Sequence, residues 1–417
     1  MGGQALDALA KVCRDVRPGE PAEGVLGVVP GVVAAPASVA EAAEVMRVAA
    51  EEGLAVVPRG AETRLDWGTP PRRCDLLLDT ARLDRVVEHA AGDLVVTAEA
   101  GLGMDRLAEV LASRGQRLAL DTPLPGSTVG GTIATAAAGP LRLLYGTPRD
   151  LVIGLTVVRA DGRVARSGGK VVKNVAGYDL GRLFSGSYGT LGLIVEATFR
   201  LHPVPAARAF LTRAVPDADR AHEAVQAVLH SPAAPSAVEC VTTAGNDEDG
   251  AGEAGGIVVG VLLEGVPEGV DARTGQIRAL LGEDTAVAPD PPQWWGAYPD
   301  GTTLIDVTAP PSALTGLLAA VGAAGPGAAL SWSAAGRGHV GLPGETAPGE
   351  VARTLGRLRG LPDGPRRCAA VVRYAPEAVR AEVDPWGPVP ALSLMRGVKD
   401  QFDPDHRMSP GRFVGGL

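Results

Sequence analysis

Cysteine is scarce in this chain and scattered. Cys13, Cys74, Cys240 and Cys368 form no CxxC pair, so no structural zinc site or iron–sulfur cluster is encoded, and reduced thiols in a cytosolic protein are the expectation. Apolar runs are short: none reaches the roughly 18 residues of a membrane span, so no integral membrane segment is expected. Positive charge is in deficit. The formal net charge of −9 argues against nucleic acid or an anionic membrane as the main partner. The opening Met1-Gly-Gly-Gln-Ala-Leu-Asp has neither a basic-then-apolar signal pattern nor the hydroxyl residue of a myristoylation site. Residues 1–205 contain no GxGxxG, so the usual dinucleotide fingerprint is missing from that part of the chain.

What is present is apolar bulk and glycine. With 417 residues, 46% hydrophobic and 21% charged, the chain is long enough for two domains. Its Ala, Gly, Pro and Arg richness suggests GC-rich coding, so isolated glycines carry little weight. Two dense elements stand out: Pro123 to Gly139, which packs Gly-Ser-Thr-Val-Gly-Gly against an alanine run, and Lys170 to Leu180, which contains Lys-Asn-Val-Ala-Gly-Tyr-Asp. Small residues at that density let something approach the backbone, and free N–H groups there make an anion site suited to a pyrophosphate.

Residues 30 to 200 alternate strand-like and helix-like patterns. Ser38-Val-Ala-Glu41 is a capping box opening a helix that ends near Gly53, and Leu54 to Val57 reads as a buried strand. Further strands fit Leu76 to Asp79, Val86 to Glu88, Leu94 to Ala98 and Leu191 to Leu201; a helix fits Met104 to Arg114. Asp161-Gly162 marks a hairpin between Leu151 to Arg159 and Gly162 to Ser167. From about 205 the texture changes. Short strands such as Gly256 to Leu263, Thr303 to Val307 and Ala369 to Arg373 alternate with helices near 217 to 229, 269 to 282 and 346 to 359, as in an antiparallel sheet with helices on one side. The final 391–417 segment reads as a helix leading back to the first domain.

Five motifs in register now carry a family resemblance: Arg59-Gly-Ala-Glu-Thr-Arg-Leu-Asp-Trp-Gly68, Pro125-Gly-Ser-Thr-Val-Gly-Gly131, Lys173-Asn-Val-Ala-Gly-Tyr-Asp-Leu180, Gly189-Thr-Leu-Gly192 and Pro410-Gly-Arg-Phe413. Together they resemble the E-type FAD-binding subunits of bacterial glycolate oxidase, flavoproteins of the vanillyl-alcohol-oxidase or PCMH type. The resemblance runs over roughly 30 to 205 and 395 to 415; residues 206 to 390 match in texture only. It implies an α+β fold, with a two-lobed PCMH-type FAD-binding domain over 1–205 and a ferredoxin-like α+β cap over 206–390. Residues 391–417 would return to the FAD domain.

The resemblance further implies noncovalent FAD. Arg59, Gly60, Ala61, Glu62 and Thr63 fall where the family holds the pyrophosphate. Relatives usually have glycine at Ala61 and Glu62, so a carboxylate there must turn to solvent or pair with Arg59 or Arg64. Pro125, Gly126, Thr128, Gly130 and Gly131 would lie against the pyrophosphate and ribityl chain, and Ala134 and Gly139 would form the wall behind. Lys173, Asn174, Gly177, Tyr178 and Asp179 are candidates for flavin or interlobe contacts, Gly192, Leu193 and Ile194 for the adenine end, and Arg412 for the ring end. No catalytic set emerges. Beyond residue 205 only His222, His230, His339 and His406 occur, without the close spacing of metal ligands, so no metal is expected. His339 and Tyr178 stand as the candidates for substrate chemistry, although a lone histidine is more often structural.

Two functions remain open. In one, the chain oxidises glycolate or a related 2-hydroxy acid on FAD within a multisubunit complex. In the other it is an electron-relay or structural subunit, and a second FAD subunit does the substrate chemistry while an iron–sulfur subunit accepts the electrons. Both place it in the cytoplasm, or at the inner face of the membrane through partners.

Overall fold

The computed structural model describes residues 2–170, 177–242, 256–363 and 366–417. It divides into a first unit of Met1–Ala138, Gly146–Val204 and Pro388–Leu417 and a second of Gly139–Tyr145 and Pro205–Gly387. The second unit is thus inserted into the first along the sequence.

The first unit holds two sheets. One has four strands in the order Val16–Pro18, Val32–Ala34, Leu76–Asp79, Val56–Arg59, the last three parallel. The helix Val39–Glu51 packs Ala42, Val45, Met46 and Ala49 into the core of this lobe. Ser38 caps it by accepting a bond from the Glu41 amide at 3.1 Å, a contribution of about 1 kcal/mol. The following strand starts later than its apolar run predicts. Leu54 still donates to Ala49 of the helix end, and the Ala55 amide is taken by the Asp75 carboxylate at 2.7 Å, so pairing begins at Val56.

The other sheet is antiparallel, in the order Val86–Ala90, Val95–Glu99, Leu193–Arg200, Val152–Val158, Val164–Gly168. Its last hairpin turns at Asp161-Gly162, as its residues require, with Gly162 at φ +81°. The helices Met104–Ala112 and Val129–Thr135 bury Leu107, Leu111, Val129 and Ile133 in the core of this lobe.

The C-terminal helix Leu392–Phe402 and its sequel belong to the first unit. Met408 forms a parallel bridge with Val56, the Val56 amide donating to Arg407 and the Ser409 amide to Val56, each at 2.8 Å. Buried Lys399 donates to Asp403 at 2.6 Å and to the carbonyls of Thr190 and Met408 at 2.7 and 2.8 Å. The strand Val56–Arg59 is thus bounded by Leu76–Asp79 on one side and bonded to Arg407–Ser409 on the other.

The second unit is an eight-stranded sheet whose described pairings are antiparallel. Alternate residues such as Val259, Val261, Ile305, Val307, Leu330, Trp332 and Val340 join one apolar core with the helices Ala218–Leu229, Pro267–Leu281, Leu314–Gly322 and Pro348–Gly360. The intervening residues put Asp306, His339 and Arg373 on the opposite face, because side chains alternate along a strand.

Candidate functional site: a cleft in the first unit

The strand Val56–Arg59 ends at a loop that lines a cleft partly open to solvent. From the predicted first loop come Arg59, Gly60, Ala61, Glu62 and Thr63. Among the described residues, the backbone N–H groups of Gly60 to Thr63 find no protein acceptor, so they are left for an anion.

The side chains of this loop divide sharply. Arg59 is spent: it donates to Asp79 at 2.6 and 3.1 Å and to Glu23 and Glu62 at 2.9 Å each. Its guanidinium therefore has little left for a ligand, and its contribution is backbone. Glu62 sits at φ +63°, with its side chain half exposed and paired to Arg59, which offsets its charge. Arg64 is different. Its Nη1 donates to Ser127 at 2.8 Å and its guanidinium lies 5.4 Å from the centre of the Trp67 ring, while Nε and Nη2 are buried without a partner.

The predicted second loop reaches the same cleft through Thr128, Gly130, Gly131 and Ala134, in a form the sequence reading did not anticipate. Val129 to Thr135 is a short helix, and the Thr128 hydroxyl caps it from 3.2 Å by accepting from Gly131. Two glycines here are demanded by protein neighbours. A Cβ on Gly60 would stand 2.5 Å from the Thr128 hydroxyl, and one on Gly130 would stand 2.8 Å from the Ala100 methyl. Pro125 and Gly126 lie outside the lining, and Gly139 falls in the second unit.

Gly192, Leu193 and Ile194 line the cleft, and so does Arg412. Arg412 is buried and donates Nη2 to the carbonyls of Leu65 and Trp67 at 2.8 and 2.7 Å, with Nη1 unpartnered. Burial pushes it down to about 10, since no carboxylate touches it. Lys173 and Asn174 lie outside the described residues. Gly177 and Asp179 are not in the lining; Asp179 instead caps the helix Leu180–Phe184. Tyr178 is 91% exposed, which makes it a solvent-facing ring here.

Sequence reasoning missed Arg64, Thr80, Ala100, Tyr188, Gly189 and Ser409 as lining residues. Arg64 and Gly189 were inside quoted motifs, whereas Thr80 and Ala100 arrive only through strand pairing. Among the described residues no cluster of His, Cys, Asp and Glu is arranged to hold a metal.

In the second unit His339 stands directly across from Asp306 in the sheet, with the Tyr298 ring edge-on at 4.6 Å. Asp306 accepts from Arg373 Nε at 2.7 Å and from Arg337, and the two arginines hold its carboxyl far below the usual range. His339 is pushed down to about 3 by burial, aided by Arg142, Arg337 and Arg373 and opposed by Asp306. It is a neutral imidazole at physiological pH.

The cleft falls largely within a recognisable module. Residues 30–168 match the family model described as FAD binding domain, and the chain carries that domain, with FAD as its cofactor. The chain is similar to glycolate oxidase subunit GlcD of Bacillus subtilis (strain 168), 35% identical over 50% of this chain and 45% of that protein. It is also similar to the mitochondrial D-lactate dehydrogenase [cytochrome] of Arabidopsis thaliana, 38% identical over 42% of this chain and 31% of that one. The matches therefore span less than half the length of these curated relatives. A solved chitooligosaccharide oxidase has the same fold, with a TM-score of 0.68 at 14% identity over 97% of each chain.

Proposed function

We propose that this chain is an FAD-dependent oxidoreductase subunit acting on a small 2-hydroxy acid, glycolate first among them, within a complex that includes a second FAD subunit and an iron–sulfur subunit. The observation that carries the reading is the cleft itself: a loop whose amides lack protein acceptors and two arginines with unpartnered nitrogens line it, and most of its lining falls in the segment that matches an FAD domain. The names of the relatives point to the substrate class.

Bound there, FAD supplies the two-electron acceptor that a 2-hydroxy acid needs to lose a hydride. The chain's own part is holding. Gly60 to Thr63 offer amides, and Arg64 and Arg412 supply charge. Glu62, also in the lining, has its charge offset by Arg59.

A second reading, an electron-relay subunit whose partner flavoprotein oxidises the substrate, is favoured by His339. A general base works best with a pKa near the operating pH, and an imidazole held at about 3 is a poor one. Rapid mixing of the FAD-loaded chain with glycolate or D-lactate separates the two. Flavin bleaching within seconds supports substrate oxidation by this chain; bleaching only after the partner subunits are added supports the relay. A purified chain that takes up no FAD defeats both. The complex would sit in the cytoplasm or at the inner face of the membrane through partners; among the described residues no helix is long and apolar enough to cross one.

A further inference from the structure

Two buried arginines line the cleft with donors left over. Arg64 is 6% and Arg412 is 3% exposed, and Nε and Nη2 of the first and Nη1 of the second have no hydrogen-bond partner. A buried guanidinium with idle N–H groups carries a large desolvation penalty unless something anionic meets it.

The protein supplies little of that anion. Arg64 is held by a neutral hydroxyl, Ser127, and by the Trp67 ring; Arg412 is held by the carbonyls of Leu65 and Trp67. The titratable groups whose fields reach Arg412 are Tyr188, Cys74 and Asp66, and of these only exposed Asp66 is a carboxylate. Glu62, two residues before Arg64, is paired with Arg59. Both arginines meet at Trp67, one over its ring and one on its carbonyl, so Arg412 is tied to the loop that carries Arg64. The Ser409 hydroxyl, also in the lining, is a third buried polar group with no partner.

We infer that Arg64 and Arg412 form a side-chain clamp for the diphosphate of the dinucleotide, so that this chain recognises its cofactor by paired guanidinium charge in addition to loop amides. The inference rests on the FAD reading of the cleft and names the residues that select the diphosphate. A guanidinium suits the task because its planar fork matches phosphate oxygens and stays charged when buried. The clamp predicts a ligand ranking. FAD, ADP and inorganic pyrophosphate all engage it, and riboflavin does not. It also predicts that binding weakens as salt rises, because the attraction is charge on charge.

The test is equilibrium binding to the full-length apo chain, read by tryptophan fluorescence and calorimetry, with FAD, ADP, pyrophosphate and riboflavin at low and high salt. Arg64→Met is expected to weaken the three phosphate ligands by about tenfold to a hundredfold, as loss of a charged hydrogen-bonding partner does, and to flatten their salt dependence. Riboflavin binding should not change. Arg64→Lys should recover part of the loss by restoring charge without the fork. Arg64→Met that keeps its FAD and pyrophosphate affinities and salt response overturns the clamp and leaves Arg64 as a strut between Ser127 and Trp67. An equal loss of riboflavin in that variant overturns it too, since the effect would be structural. Wild-type chain that binds pyrophosphate but not FAD fails the flavin reading while the clamp stands; chain that binds neither defeats the clamp.

Discussion

Arg59 and Arg64 belong to one loop, line one cleft and are nearly equally buried, yet they are used in opposite ways. Arg59 faces three carboxylates, Asp79, Glu23 and Glu62, which consume its donors. Arg64 has one hydroxyl and one indole ring, and keeps two idle nitrogens. The difference teaches how to read a buried arginine in a binding loop. One whose charge is already neutralised is framework; one whose charge is left standing is the candidate for a ligand.

The harshest way to break this comparison is to remove the wall that Arg412 supplies while leaving Arg59 in place. Truncation after Asp400 deletes Asp403, Met408 and Arg412, and strands the buried Lys399 without its partner. FAD retention after gel filtration should be lost, with the thermal midpoint well down. Unaltered flavin affinity after that cut would take Arg412 out of the site.

Next in size is Arg59→Met, which leaves Asp79 nearly buried without its cation, while Glu23 keeps Arg17. The apo chain should lose about 3–5 kcal/mol in a urea titration, the range for breaking one side of a buried ion pair. If Arg64→Met destabilises the apo chain as much, the distinction between framework and ligand-directed arginine collapses.

A pH series sharpens the contrast further. Glu23 is held down to about 2 from an ordinary 4.5, chiefly by its hydrogen bond to Arg17 and then by Arg59. A carboxylate depressed in the folded state stabilises fully above its unfolded value and loses that stabilisation as pH falls towards the folded one. The apo chain should therefore weaken progressively between about pH 4.5 and 2, and Glu23→Gln should flatten that limb. Arg64→Met should leave the limb unchanged. The smallest effect is expected from Glu62→Gln. Its side chain is 54% exposed, so the pair with Arg59 contributes about 0–1 kcal/mol, measurable only as a slight shift in urea midpoint.

What could be read in advance was local. Ser38 and Glu41 announce a helix start and Asp161-Gly162 a hairpin, because caps and tight turns are decided by adjacent residues. The glycine loops were legible as close-approach segments, but not what approaches them: Gly130 is pressed by Ala100, a residue brought in by sheet pairing. Leucine at 130 would thus collide with protein before any cofactor. Arg64 was passed over because a charged residue in a loop is ordinarily solvated, and nothing in its neighbours announces burial. Lys399 shows the same blindness on a helix, where a lysine usually faces water but here reaches two carbonyls and a carboxylate. The Asp306 cluster was out of reach for another reason. Its arginines come from two strands, Arg337–Leu342 and Ala369–Tyr374, that flank the aspartate's own strand and are remote from it in sequence.

The bridge between Val56 and Met408 also fixes an order of events in time. Val56–Arg59 is the outer strand of its sheet, and the chain that covers it is made only after Pro205–Gly387 has been synthesised. A ribosome-bound chain with the second unit already out still presents that bare strand, and it still lacks Arg412. If Arg412 holds the cofactor, its capture waits until residues 407–412 are made, and a chain stalled before them would expose a sheet edge of the kind that pairs with other chains.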